Sequence, residues 1–157
     1  MKLFTLISLF LLSSIASADI SGTALIVDGD TITISGNKIR LNGIDTPEKD
    51  QTCRRAGVTW RCGYEATETL RNWTYTKEVR CVGDTKDRYG RLIANCFVDG
   101  YNVNARLVYE GLALAYRKYS KQYVPEEDKA RAAKRGMWAG EFVAPWDWRE
   151  GKRLTSE

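Results

Sequence analysis

Asp28 and Asp30 flank Gly29, Asp45 and Glu48 bracket Thr46-Pro47, Arg40 lies between these two acidic pairs, and Arg91 follows further along. Carboxylates gathered this way suit a hard divalent cation such as calcium, which takes carboxylate and backbone carbonyl oxygens and needs no imidazole. The two arginines add planar, permanently charged forks that match a phosphate. Histidine is absent from all 157 residues. That excludes Ser-His-Asp hydrolases, histidine-activated cysteine enzymes and every nuclease or phosphatase built on a histidine base or ligand.

The elements that must position these groups follow from the hydrophobic pattern. Residues 23–41, TALIVDGDTITISGNKIRL, are rich in β-branched residues and broken at Asp28-Gly29 and Ser35-Gly36-Asn37, which predicts a three-stranded meander. Period-two counting puts Asp30 on the face of Ile32 and Ile34, an odd place for an acid unless it has a partner at a rim. The spacing of Ala66, Leu70 and Trp73 predicts a helix over 64–76. Strands are expected over 77–82 and 91–98, joined by the charged GDTKDRYG loop. A second helix is expected over 102–112, and a third from Pro125 to Gly136, with acids early and bases late. The sum is an α+β fold: a small, partly open five-stranded barrel carrying helices, of a kind that often binds oligonucleotides. Fold alone does not establish function. Each polar piece alone also reads as an ordinary Asp-Gly turn, Thr-Pro loop or solvated strand end.

The N-terminal MKLFTLISLFLLSSIASA has one lysine, an apolar run and a small-residue Ala16-Ser17-Ala18 site. It reads as a signal peptide, residues 1–18, cleaved after Ala18 to give a secreted or periplasmic protein. The apolar core is too short for an ordinary transmembrane span, so no membrane association is expected. Residues 19–157 suit a single domain, with an aromatic C-terminal extension over about 137–157. Losing Lys2 lowers the formal net charge from +4 to +3, a modest excess that favours a polyanion without identifying one. The four cysteines, Cys53, Cys62, Cys81 and Cys96, read as disulfides in an oxidising compartment. Of the three connectivities, Cys53 with Cys62 and Cys81 with Cys96 is favoured, because each pair falls in one local unit. A four-cysteine metal cluster is disfavoured, since no Cys-x-x-Cys spacing occurs.

VDGDTITI followed by IRLNGIDTPE closely resembles the paired signature of the staphylococcal nuclease (thermonuclease) family. GYEAT resembles the family's helix start, DRYGRLIA its Asp-basic-Tyr-Gly-Arg segment, and NARLVYEGLALAY its second helix and following strand, in consistent order over about residues 21–140. The resemblance implies a five-stranded OB-fold barrel with three α-helices and a calcium-dependent, sugar-nonspecific nuclease. Its DNA and RNA substrates would be cut at the phosphorus to 5′-oxygen bond to leave 3′-phosphates. By the same resemblance, Asp30 and Asp45 bind calcium through their carboxylates and Thr46 through its backbone carbonyl, with Asp28 in the outer sphere. Glu48 activates or orients the attacking water, and Arg40 and Arg91 grip the scissile phosphate.

Arg88, where a lysine is more usual, and Tyr89 match a segment that contacts the terminal phosphate. Tyr116 matches an aromatic beside the base, with Tyr119 as a second aromatic nearby in sequence, although the spacing after Ala115 departs from the family pattern. Trp138, Trp146 and Trp148 are expected to pack against the body. No stable protein partner is implied, and a monomer is expected. The alternatives are a catalytically inactive OB-fold module that binds nucleic acid or protein, and a secreted calcium-binding adhesion domain.

Overall fold

The computed structural model describes residues 17–155, so the leader expected over residues 1–18 lies almost wholly outside the described residues. The meander forms where the β-branched pattern put it, as β2 (Ala24–Ile26), β3 (Thr31–Ile34) and β4 (Asn37–Leu41), preceded by β1 (Ala18–Gly22). After β4 come the short strands β5 (Ile44–Asp45), β6 (Cys53–Arg55) and β7 (Val58–Trp60), then α1 (Cys62–Thr74). Next are β8 (Val79–Lys86), β9 (Leu92–Val98), β10 (Tyr101–Asn102), α2 (Val103–Tyr109), β11 (Leu114–Ala115) and α3 (Val124–Ala132). A 3-10 turn (Gly136–Ala139) and α4 (Pro145–Arg149) complete the order.

The main sheet runs β1-β8-β9-β4-β3-β2, with β10 on β9. All of its pairings are antiparallel except β4 with β9. The parallel pairing is what α1 makes possible, because it carries the chain back across the sheet between β4 and the β8–β9 hairpin. The result is a mixed sheet curled into a half-barrel with helices, the α+β fold expected. The described residues hold four α-helices rather than three, and the additional one is the short α4 in the C-terminal extension.

Alternation explains the core. Ile32, Ile34, Ile39 and Leu41 are almost fully buried and meet Leu70 of α1, Val79 of β8, Ala94 of β9 and Leu107 of α2. One polar side chain sits fully buried among them and is fully used: the Asn104 amide donates to the Asn42 and Ala94 carbonyls (3.0 and 3.1 Å) while its oxygen accepts from Cys96 N (3.1 Å). It locks α2 to the loop that follows β4.

Both expected disulfides are present, Cys53–Cys62 and Cys81–Cys96. The first lies in a second apolar cluster with Leu114 and Met137, covered by Trp60, Trp138, Phe142 and Trp146. Trp138 and Trp146 therefore pack on the body, as expected, while Trp148 is half-buried beneath the guanidinium of Arg153 in the same tail at 3.6 Å.

Several boundaries differ from the sequence reading: α1 runs two residues earlier than 64–76, α2 stops at Tyr109 rather than at residue 112, β8 begins at Val79 rather than at residue 77, and two further differences are larger or have a clear cause. β8 continues through a register shift to Lys86, because ladder hydrogen bonds do not depend on the polarity of Asp84-Thr85-Lys86; the connecting loop shrinks to a tight turn at residues 87–90. α3 stops at Ala132 rather than near Gly136, since Lys134 takes φ 51° and Arg135 N reaches back to Ala130 O at 2.9 Å, which closes the helix end.

Candidate active site

Asp30 enters the core face ahead of Ile32, as its period-two position required, and it is 8% exposed. Its partners lie on the second and third strands of the meander and in the loop beyond. Thr31 Oγ1 donates to its Oδ1 at 3.2 Å, while Thr46 N and Thr46 Oγ1 both donate to Oδ2 at 3.0 Å. Asp28 turns back to accept the Asp30 backbone N–H at 3.0 Å. The Arg40 Nη2 lies 3.1 Å from Asp30 Oδ2 and 3.1 Å from Asp45 Oδ1, so one nitrogen bridges the two acids. Asp45 itself is 0% exposed.

Glu48 stands at the mouth of this cluster, on a turn closed by Gln51. Gln51 N donates to Glu48 O at 2.7 Å, and Gln51 Oε1 accepts from Glu48 N at 3.1 Å. The same fully buried side chain donates from Nε2 to Val143 O at 2.7 Å, tying the turn to the C-terminal segment. Gly63, at the start of α1, backs directly onto the Glu48 carbonyl.

Arg91 reaches the cluster from the turn after β8. Its Nε donates to Asp87 Oδ2 at 2.7 Å, and Asp87 Oδ1 also accepts the backbone N–H groups of Tyr89 and Arg91 at 2.9 and 3.0 Å. Arg91 Nη1 then contacts Thr31 Oγ1 at 3.4 Å, which links it through Thr31 to Asp30. Tyr89 is 68% exposed, with Arg88 and Arg91 4.9 and 5.4 Å from its ring centroid.

The family resemblance singled out Asp28, Asp30, Arg40, Asp45, Thr46, Glu48 and Arg91, and the fold brings these seven near one another. Tyr116 lies further along the surface and is half-buried. The Trp146 ring stacks on one of its faces at 5.5 Å and 7°, and Tyr119, 70% exposed, meets it edge-on at 4.8 Å.

Three contributors had gone unrecognised: Gln51, Asp87 and Arg149. Arg149 comes from α4, and its Nη1 donates to Glu48 Oε1 at 2.7 Å and to Asp45 Oδ1 at 3.2 Å, while Nη2 donates to Asp45 Oδ2 at 2.7 Å. Asp87 could have been read from the Asp-x-x-Gly turn pattern of DRYG. Nothing near Gln51 or Arg149 in the chain marks either one.

Charge in the cluster is finely opposed. Burial, and then the neighbouring Asp30 charge, push the Asp28 carboxyl up to about 6. Burial likewise raises Asp45, against hydrogen bonding from Arg149 and the attraction of Arg149 and Arg40. Burial works against the Arg149 charge, yet its bonds to Asp45 and Glu48 raise its pKa above the ordinary arginine value. For Asp87 burial is again adverse, but the hydrogen bonds from Arg91 and Tyr89 hold its carboxyl below the usual range.

Among the described residues no group of three or more Asp, Glu, His or Cys side chains is arranged around a common metal position. The donor set that the resemblance implied is smaller: two carboxylates, Asp30 and Asp45, both within 3.1 Å of one nitrogen, with the Thr46 backbone N–H bonded to Asp30. Two carboxylates and a carbonyl, completed by water, fit a hard oxygen-seeking cation and do not fit zinc.

The sequence profile of the family described as staphylococcal nuclease homologue matches residues 38–140. A protein of Shigella flexneri named micrococcal nuclease is 32% identical over 88% of this chain and 85% of its own length. An uncharacterized endonuclease of Haemophilus influenzae is 35% identical over 83% of this chain and 72% of its own. The succinoglycan biosynthesis protein ExoI of Rhizobium meliloti is also 35% identical, over 78% of this chain and 66% of that protein.

Proposed function

The chain belongs to the staphylococcal nuclease family and is a nuclease; from that premise we propose that it is an exported, calcium-dependent enzyme. It hydrolyses DNA and RNA phosphodiesters without regard to the sugar and leaves 3′-phosphates. The observation that carries this reading is the convergence of Asp30, Asp45, Glu48, Arg40 and Arg91 on one end of the sheet.

Asp30, Asp45 and the Thr46 carbonyl would hold calcium, with Asp28 behind Asp30 in the outer sphere. Bound there, the ion supplies positive charge to the phosphoryl oxygens and an oriented water. Glu48 accepts the proton of the attacking water as its oxygen bonds to phosphorus and the bond to the 5′-oxygen breaks, the departing oxygen taking a proton from solvent. Arg91, aimed by Asp87, and Arg40 donate to the phosphoryl oxygens, where charge accumulates in the transition state. Arg88 and Tyr89, exposed on the same turn as Arg91, hold the neighbouring phosphate. Tyr116 and Tyr119 offer aromatic surface to an unpaired base, which favours single-stranded regions.

Two disulfides support export, because such bridges persist in oxidising compartments. A mature chain starting at Asp19 would keep all of β1 except its first residue.

The deciding assay is cleavage of denatured DNA by purified mature protein with calcium and with a chelator. Activity only with calcium is expected, together with losses of about 100-fold or more in kcat for Glu48→Gln and Arg91→Ala in folded protein. Equal activity with the chelator would refute the metal assignment, and near-normal turnover in both variants would refute the residue assignment. Binding without cleavage at saturating calcium would instead favour the inactive module.

A further inference from the structure

We propose that Arg149 is a positioning residue of this active site, its guanidinium bridging Glu48 to Asp45, so that the C-terminal segment forms part of the catalytic apparatus. The inference rests on the reading of Glu48 as the group that orients and deprotonates the attacking water. Arg149 makes three hydrogen bonds, one to Glu48 Oε1 at 2.7 Å and two to Asp45 at 2.7 and 3.2 Å. A carboxylate 39% exposed at a site mouth samples several rotamers unless something holds it. A fork bonded simultaneously to a fully buried acid is such a hold.

The segment that delivers Arg149 is itself fastened to the site. Gln51 clasps Val143 O at 2.7 Å, Arg54 and Glu141 exchange backbone bonds at 2.9 and 2.8 Å, and Trp146 stacks on Tyr116. Residues 141–149 thereby run along the Glu48 loop as a wall, and α4 ends with Arg149, 41% exposed, paired to Glu48 and Asp45.

A guanidinium that shares Asp45 with a divalent cation also opposes that cation. Its removal is therefore expected to impair turnover and to tighten calcium binding, whereas a residue that merely holds the ligands in place would weaken it when removed. The test uses full-length mature protein and its Arg149→Gln, Arg149→Lys, Glu48→Gln and Glu48→Gln/Arg149→Gln variants. Calorimetric calcium titration without substrate is combined with kcat and KM on denatured DNA at saturating calcium.

Arg149→Gln is expected to lower kcat about 10- to 100-fold with KM little changed, as misorientation of a general base should. Arg149→Lys should recover part of the loss. In the Glu48→Gln background the second substitution should cost nothing further, because groups acting as a unit are not additive. Calcium should bind Arg149→Gln several-fold more tightly.

Unchanged kcat in Arg149→Gln, full additivity with Glu48→Gln, or weaker calcium binding would each overturn the proposal while leaving the nuclease reading intact. A wild-type protein that neither binds calcium nor cleaves with it would overturn both.

Discussion

Gly63→Ala puts the whole placement of Glu48 to the test without touching a charged group. A Cβ at residue 63 would lie 1.6 Å from the Glu48 carbonyl oxygen and 2.6 Å from its carbon. Ordinary contact begins near 3.4 Å, so the two backbones must part by about 1.8 Å, the difference between 3.4 and 1.6. α1 cannot supply that movement easily, since Ala66 and Leu70 on the same helix are fully buried and Cys62 is bridged to Cys53. The Glu48–Gln51 turn, held by bonds of 2.7 and 3.1 Å, is the part that gives.

Losing those two bonds at roughly 1 kcal/mol each, with some strain retained, lowers stability by about 2–3 kcal/mol. For a domain of this size that is a fall in Tm of about 5–10 °C. Because misplacing a reacting group by about 1 Å can cost 100-fold, kcat should fall by about that factor or more. KM should change little, as Arg88, Tyr89 and Arg91 stand on a different turn.

The control is Gly57→Ala in the β6–β7 hairpin, where φ is +76° and nothing lies within 4 Å of an added Cβ. It should cost about 1–2 kcal/mol in backbone strain and leave kcat alone. Steady-state cleavage of denatured DNA below both melting temperatures gives the comparison. If Gly63→Ala loses stability yet keeps wild-type kcat, the position of Glu48 does not govern turnover and the reasoning from this contact is wrong.

Other expectations follow from the remaining contacts. Asp87→Asn should lower kcat about 10-fold by freeing Arg91, and remove about 1.5 kcal/mol of stability at neutral pH. Because the folded Asp87 carboxyl sits below its ordinary 3.8, its contribution is present above that pH and is lost as pH falls through the folded value. The Tm gap between wild type and Asp87→Asn should therefore close in acid, and a gap that stays constant to pH 2 would refute the ion pair. Replacing Cys53 and Cys62 together by serine should cost about 2–3 kcal/mol and also slow turnover, because that bridge joins the segment after Glu48 to the start of α1. Replacing Cys81 and Cys96, which staple adjacent core strands, should cost similar stability with kcat preserved. Parallel melting curves and kinetics would separate the two.

The sequence made the local half of this protein readable. Alternation in residues 23–41 predicted β2 to β4; the first turn carries Asp28 and Asp30, and the β3–β4 pairing returns the chain so that Asp45, just past β4, comes back toward Asp30. Arg40 was legible for the same reason: it lies near the end of β4, opposite Thr31. Disulfide pairing was legible because both bridges are short-range, with separations of 9 and 15 residues. What stayed hidden acts over long range. Arg149 meets Glu48 from 101 positions away, and PWDWR carries no periodicity that assigns a face. Gln51 is a buried amide in a loop, distinguishable from a solvated one only when its two partners, Glu48 N and Val143 O, are in view.

Arg40 and Arg91 looked equivalent as phosphate-gripping arginines, and the structure separates them. Arg91 bonds Asp87 and touches Thr31, but makes no contact with a fully buried carboxylate. Arg40 donates from Nη1 to the Leu41 carbonyl and from Nη2 to Asp45, with Nη2 also ion-paired to Asp30, which leaves only part of its five-donor fork for a substrate. Asp45 has no exposure and depends on Arg40 and Arg149 for countercharge. Stripping one partner from a buried ion pair costs several kcal/mol because the other charge remains. Lost activity in Arg40→Ala would therefore mix weakened phosphate contact with a disturbed Asp45. The same loss in Arg91→Ala reports on the phosphate alone, provided Asp87→Asn reproduces only a fraction of it.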